Sequence, residues 1–75
     1  MKKLGKRNAK KVIQALSKIA FFNVTSEELS ELTPSSTCEN RFFCDLNDYY
    51  VSILITNTVE VTVYALGHVY TEMVP

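Results

Sequence analysis

The spacing of apolar and polar positions changes period once along the chain. Ala9, Val12, Ile13, Leu16, Ile19 and Ala20 recur every three or four residues, with Lys10, Lys11, Gln14, Ser17 and Lys18 on the opposite side. That pattern is one apolar stripe on a helix. Asn8 is a suitable N-cap, so a helix is expected from residue 8 to about 21. From Tyr49 onward the period is two. Val51, Ile53 and Ile55 alternate with Tyr50, Ser52, Leu54 and Thr56, and Val59, Val61 and Val63 alternate with Glu60, Thr62 and Tyr64. Two β-branched runs around a short polar break predict a hairpin over 49–66. Setting Ile55 opposite Val59 also pairs Ile53 with Val61 and Val51 with Val63, all on one face, and makes Tyr50 and Tyr64 a cross-strand pair on the other. A slip of one residue would mix the faces. This register leaves a three-residue loop at 56–58, where Asn57 tolerates the left-handed region and a β-branched Thr does not.

Between these elements the signals are shorter. Thr25-Ser26-Glu27-Glu28 is a capping box, and it predicts a brief helix over 26–32 with Leu29 and Leu32 inward, stopped by Pro34. Asn23 breaks the chain ahead of it. Residues 36–46 fit two readings. One is a third helix, with Cys38, Phe42 and Leu46 four residues apart. The other is a loop followed by a strand over 41–46 that turns at Asn47-Asp48 into the hairpin. The helix is preferred here. Gly67 permits a turn, after which Val69, Thr71 and Met73 suit a short last strand. The sum is an α+β domain with N-terminal amphipathic helices packed on a C-terminal antiparallel β-hairpin or three-stranded sheet. Residues 1–7 read as a flexible basic tail and residues 8–75 as one small domain.

Composition adds few bounds. With 75 residues, 47% of them hydrophobic, the chain can bury a small core. No apolar run is long enough to span a bilayer, and residues 12–22 are a poor signal-peptide core because Gln14, Ser17 and Lys18 interrupt them. A basic amphipathic helix can also lie on an anionic membrane, but here an apolar strand face needs the same helix as its cover. Two cysteines are too few for a secreted disulfide scaffold, so a soluble cytoplasmic protein with reduced thiols is expected. Charge changes the picture more. Seven of the eight Lys and Arg residues lie within residues 1–18, and all eight acids lie at Glu27 or later, although the net charge is zero. A basic N-terminal arm is a recurrent route to nucleic acid. Catalytic chemistry is sparse. Cys38, Cys44 and His68 offer at most three soft ligands where a structural zinc site takes four, and no glycine-rich phosphate loop is present. No enzyme activity, metal or cofactor is expected.

With the helical reading of 36–46, the order helix, short helix, helix, hairpin resembles a winged helix-turn-helix domain over about residues 8–66. Val24-Thr25-Ser26-Glu27-Glu28-Leu29-Ser30-Glu31-Leu32 looks like the second helix of such domains, and 49–66 like the wing. The turn Thr33-Pro34-Ser35 is shorter than usual and lacks the common glycine. The resemblance implies a DNA-binding regulator that acts as a dimer on a paired site. Asn40 and Arg41 would approach bases, and Lys2, Lys3, Lys6, Arg7, Lys10, Lys11 and Lys18 would meet phosphates. The rival reading is a protein-interaction module, such as a small phage- or plasmid-type inhibitor. It would use an exposed sheet edge and Tyr49, Tyr64 and Tyr70 as anchors, its acidic half steering it to a basic partner. A lysine-rich start is also seen in bacterial precursor peptides, against which the β pattern argues. The two main readings part at residues 36–46, where a helix favours DNA and a strand favours the interaction module.

Overall fold

The computed structural model describes residues 2–19, 24–46 and 49–75. Helix α1 runs Lys6–Ile19 and helix α2 runs Ser26–Ser30. Four strands follow: β1 Arg41–Leu46, β2 Tyr49–Ile55, β3 Val59–Ala65 and β4 His68–Val74. All neighbours are antiparallel, in the order β1-β2-β3-β4. The expected class therefore holds, an α+β domain with a helix packed on an antiparallel sheet, and the sheet has four strands.

The predicted hairpin register is the observed one. Ile55 faces Val59, Ile53 faces Val61, Val51 faces Val63, and Tyr50 faces Tyr64. The shared face of β2 and β3 is buried together with Ala9, Val12, Ala15 and Leu16 of α1. The helix lies over β3 and β4. Ile13 and Ile19 pack at the margin of this core. The stripe residue Ala20, the expected helix end at Phe21, the break at Asn23 and the turn at Asn47-Asp48 lie outside the described residues. In α2, Thr25 Oγ1 accepts from the Glu28 N–H at 3.2 Å, the first half of the capping box, and the helix ends at Ser30 rather than Leu32.

Two expectations are corrected. Residues 36–46 contain no helix. They are bend and turn to Asn40 and then strand β1. The Ile55 N–H donates to the Asn40 carbonyl at 2.9 Å, and β1 pairs residue for residue with β2 from Arg41–Leu54 to Leu46–Tyr49. The backbone of β2 needs partners on its second side, and Phe42 supplies an apolar group to the same core face. The second correction concerns the basic segment, which is fixed well before residue 8. The Leu4 side chain is buried in the core, the Leu4 N–H donates to Leu32 O at 2.8 Å, and the Gly5 N–H donates to Ser30 O. Helix α1 starts at Lys6. Asn8 is therefore inside its first turn, with its side-chain amide donating back to Leu4 O instead of capping.

The β3–β4 connection is a two-residue turn with both central residues at positive φ, Leu66 at 41° and Gly67 at 84°. That is the type I′ geometry favoured by the twist of a hairpin. Glycine suits it; leucine does not. Leu66 is 94% exposed, so nothing is gained by packing it.

Two stability measurements check this fold. Leu16→Ala is expected to cost about 2–5 kcal/mol in chemical denaturation, the range for emptying a buried leucine site. A variant that melts like the wild type would mean that α1 does not cover the sheet. Leu66→Asn is expected to stabilise by roughly 0.5–1 kcal/mol, since Asn accepts positive φ and the leucine side chain packs on nothing.

Candidate functional site: the open face of the sheet

Strand alternation assigns every sheet residue to one of two faces. The face under α1 takes Phe42, Cys44, Val51, Ile53, Val59, Val61, Val63 and Val74. The other face is built in three rows: Arg41, Leu54, Glu60 and Met73; Phe43, Ser52, Thr62 and Thr71; Asp45, Tyr50, Tyr64 and Val69. Among the described residues no helix lies on this second face. An antiparallel sheet usually presents polar side chains to water on such a face. Here Phe43 is 38% exposed, Tyr50 and Tyr64 43% each, Met73 53% and Val69 62%, so apolar surface runs across all four strands.

The rings form a ladder. Phe43 stacks on Tyr50 with centroids 5.5 Å apart and planes 15° from parallel, and Tyr50 meets Tyr64 at 6.0 Å and 42°. Cross-strand aromatic pairs stabilise a sheet by themselves, so the ladder has a structural use. That use does not account for Val69 and Met73, which extend the same surface onto β4. Beside the ladder, Arg41 Nη1 donates to Ser52 Oγ at 2.7 Å. Ser52 is buried, and this bond satisfies its hydroxyl under the neighbouring side chains. Asp45 and Glu60 flank the patch at opposite ends.

The residues expected to touch DNA are dispersed. Lys6, Arg7, Lys10 and Lys18 are on the solvent side of α1, and Lys11 is half-buried there. Lys3 forms an ion pair with Glu31. Asn40 borders a shallow pocket with Lys2 and Lys3, but Glu39 shares that rim. Arg41, next in sequence to Asn40, is turned to the open face and bonded to Ser52. The two residues expected to read bases thus share no surface.

The tyrosines are also divided. Tyr64 belongs to the open face. Tyr49 and Tyr70 are on the helix side, where they line a cleft of about 270 Å³ with Ile19, Val63, Ala65 and His68. Tyr50 and Phe43 were not among the expected anchors. The signal for Tyr50 was present in its predicted pairing with Tyr64; the signal for Phe43 required knowing that β1 is a strand.

Both cysteines are free thiols. Cys38 is exposed in the loop before β1. Cys44 is half-buried on the helix-side face of β1, and burial, helped by the neighbouring Asp45 carboxylate, pushes its thiol from an ordinary 9.0 up to about 11. Among the described residues no three His, Cys, Asp or Glu side chains gather in a metal-sized cluster, and no helix is long and apolar enough to cross a membrane. No protein-family model, curated protein or solved structure matches this chain.

The thiols give a direct check on the placement of β1. At mildly alkaline pH an alkylating reagent should label Cys38 quickly and Cys44 slowly, as read by mass spectrometry, because the thiolate is the nucleophile. The proton is held more tightly in the fold than in the unfolded chain. Cys44 should therefore cost stability as pH rises from about 9 to 11, and nothing below that window.

Proposed function

We propose that this protein is a non-enzymatic protein-interaction module that docks its partner on the open face of the sheet. The observation that carries the reading is the Phe43–Tyr50–Tyr64 ladder with Val69 beside it and Met73 further along β4, exposed aromatic and apolar side chains on a face that no described helix covers. Aromatic side chains bury large area at low cost in rotamer entropy, and such residues supply most of the energy at protein interfaces. The partner is a protein with an apolar patch flanked by lysine or arginine. Asp45 shares the row of Tyr50 and Tyr64, Glu60 lies beside Met73 in the row at the other end of the face, and Arg41 is already engaged by Ser52. These carboxylates set orientation and speed of encounter, while the rings supply affinity. Two cysteines held as thiols suit the cytoplasm, and that is where we place the protein.

The DNA-binding reading loses its main support, since the helix that would have carried Asn40 and Arg41 into a major groove is turn and strand. It keeps one observation, the run of cations on the solvent side of α1. A stripe of that kind can hold phosphates without reading sequence.

Two measurements separate the readings. The first places a photo-crosslinking amino acid at Tyr64 in cells and, as a control, at Gln14 on α1. A discrete adduct with a different protein from Tyr64, lost when Tyr50→Asp is added and absent from Gln14, is the expected result. No adduct from the open face would overturn the reading. The second is a titration with duplex DNA at several salt concentrations. Affinity no tighter than about 1 mM at physiological salt is expected. If binding is tight and falls steeply with salt, the phosphate reading is correct. Its slope should then flatten when Lys6, Arg7 and Lys10 are replaced by Gln, by about 0.9 for each phosphate no longer neutralised.

A further inference from the structure

The sheet has two edges, and they are not alike. At the β1 edge the loop before the strand closes over the first outward-facing residue: the Ser35 N–H donates to Arg41 O at 2.7 Å, and the Arg41 N–H donates to Cys38 O at 3.2 Å. Asp45 adds a charge further along. At the β4 edge no described loop closes over an outward-facing residue, and its one charged side chain, Glu72, is on the helix side. The strand is seven residues long and uninterrupted by proline, lysine or a bulge. Natural sheets blunt exposed edges by those devices, and an edge without them is a template for another strand.

The backbone groups on offer follow from the hairpin geometry. A two-residue type I′ turn makes Ala65 and His68 a hydrogen-bonded pair. Alternation then directs the N–H and C=O groups of His68, Tyr70, Glu72 and Val74 towards β3, and those of Val69, Thr71 and Met73 away from it. The far side of the sheet agrees. The Ile55 N–H points to Asn40 in β1's line, and the Thr56 N–H donates to Thr58 O, so Val59, Val61 and Val63 turn their groups to β4. No described residue bonds to the outward groups of Val69, Thr71 and Met73.

We propose that β4 is a dimerisation edge, on which a second copy of this chain pairs its own β4 antiparallel about a two-fold axis through Thr71. Only that axis suits the strand. It sets Thr71 opposite Thr71, Val69 opposite Met73 and Met73 opposite Val69, so every outward N–H and C=O finds a partner. On the helix side it sets Tyr70 opposite Glu72. An axis at Glu72 would oppose two carboxylates and bring Pro75, which has no N–H, into the ladder. An axis at Tyr70 would set Met73 against Gly67 of the turn. The contact is isologous, as a closed dimer requires. Val69 and Met73, the most exposed apolar residues of β4, meet each other across it and continue the open face from one copy to the next. The chain has no net charge, so two copies carry no overall repulsion.

The test uses the full chain and a charge swap at Thr71. This side chain is exposed, and its hydroxyl faces Thr62 at 3.4 Å, so replacement leaves the core intact. Sedimentation equilibrium should find the wild type dimeric below about 1 mM. Thr71→Lys and Thr71→Glu each place like charges directly opposite one another, and each should raise the dissociation constant about tenfold or more. An equal mixture of the two should restore the dimer as a heterodimer. Amide exchange gives a second reading: Val69, Thr71 and Met73 should become protected as wild-type concentration rises, and should stay unprotected in either single variant. A wild type that stays monomeric at about 1 mM overturns the proposal, including the case in which the edge serves another protein's strand. So does a dimer indifferent to both substitutions, or a mixture that remains monomeric. Circular dichroism of each variant separates loss of pairing from loss of fold.

Discussion

One side of a four-stranded sheet has to be dried by a single fourteen-residue helix, and most of the architecture follows from that imbalance. The alternating Val and Ile residues of β2 and β3 are buried in one cluster with Ala9, Val12, Ala15 and Leu16 of α1. Small residues at positions 9 and 15 bring the helix backbone close, which suits a β-branched surface. The helix is too narrow to cover everything. It sits over β3 and β4, while Leu29 of α2 and the buried Leu4 complete the core. Among the described residues no further helix covers the second face, and that is why its composition is informative.

How much of this was legible depends on whether the deciding force was local. The β2–β3 register was, because three aliphatic pairs and one aromatic pair agree on it and any slip exposes valines. The α1 stripe was legible for the same reason. Strand β1 was not. Phe42 and Leu46 are four apart, which places them together on a helix and also together on a strand, so both periods fit the same residues. The tie is broken by the unpaired second side of β2, and only the assembled sheet shows that demand. Leu4 was hidden differently. A single leucine among lysines has no period, and its place is set by partners distant in sequence, with the Leu4 N–H donating to Leu32 O and the Gly5 N–H to Ser30 O. Of the candidate site, the Tyr50–Tyr64 pairing could be read in advance; its extension to Phe43 could not, because it inherits the ambiguity of β1.

The charge separation along the sequence is only partly a separation in space. Lys3 reaches Glu31, and α2, which carries three acids in or just after it, packs against α1. Some of the basic run is therefore answered by the protein's own acidic half. Both members of that ion pair are largely exposed, so it contributes little to stability, with about 0–1 kcal/mol usual for surface pairs. Its effect is better seen in what remains. Lys6, Arg7, Lys10 and Lys18 are on the solvent side of α1, and among the described residues the open sheet face carries Asp45 and Glu60 beside the engaged Arg41. The molecule offers a basic polar surface on one side and an apolar, weakly acidic one on the other.

The face and the edge of the sheet are independent resources, and using one does not consume the other. Backbone groups at the β4 edge point within the plane of the sheet, while the rings of Phe43, Tyr50 and Tyr64 stand perpendicular to it. Pairing at the edge would leave the ladder bare and set a second ladder in the same surface, turned by the two-fold axis. A partner with one apolar patch would then meet two equivalent sites, and a partner that is itself paired would gain from binding both at once, since the second contact forms at the high local concentration fixed by the first. The weakness of a 75-residue protein as a binding partner is its small area. A continuous sheet shared by two copies is the direct physical remedy, because it enlarges the apolar face without adding any core to either chain.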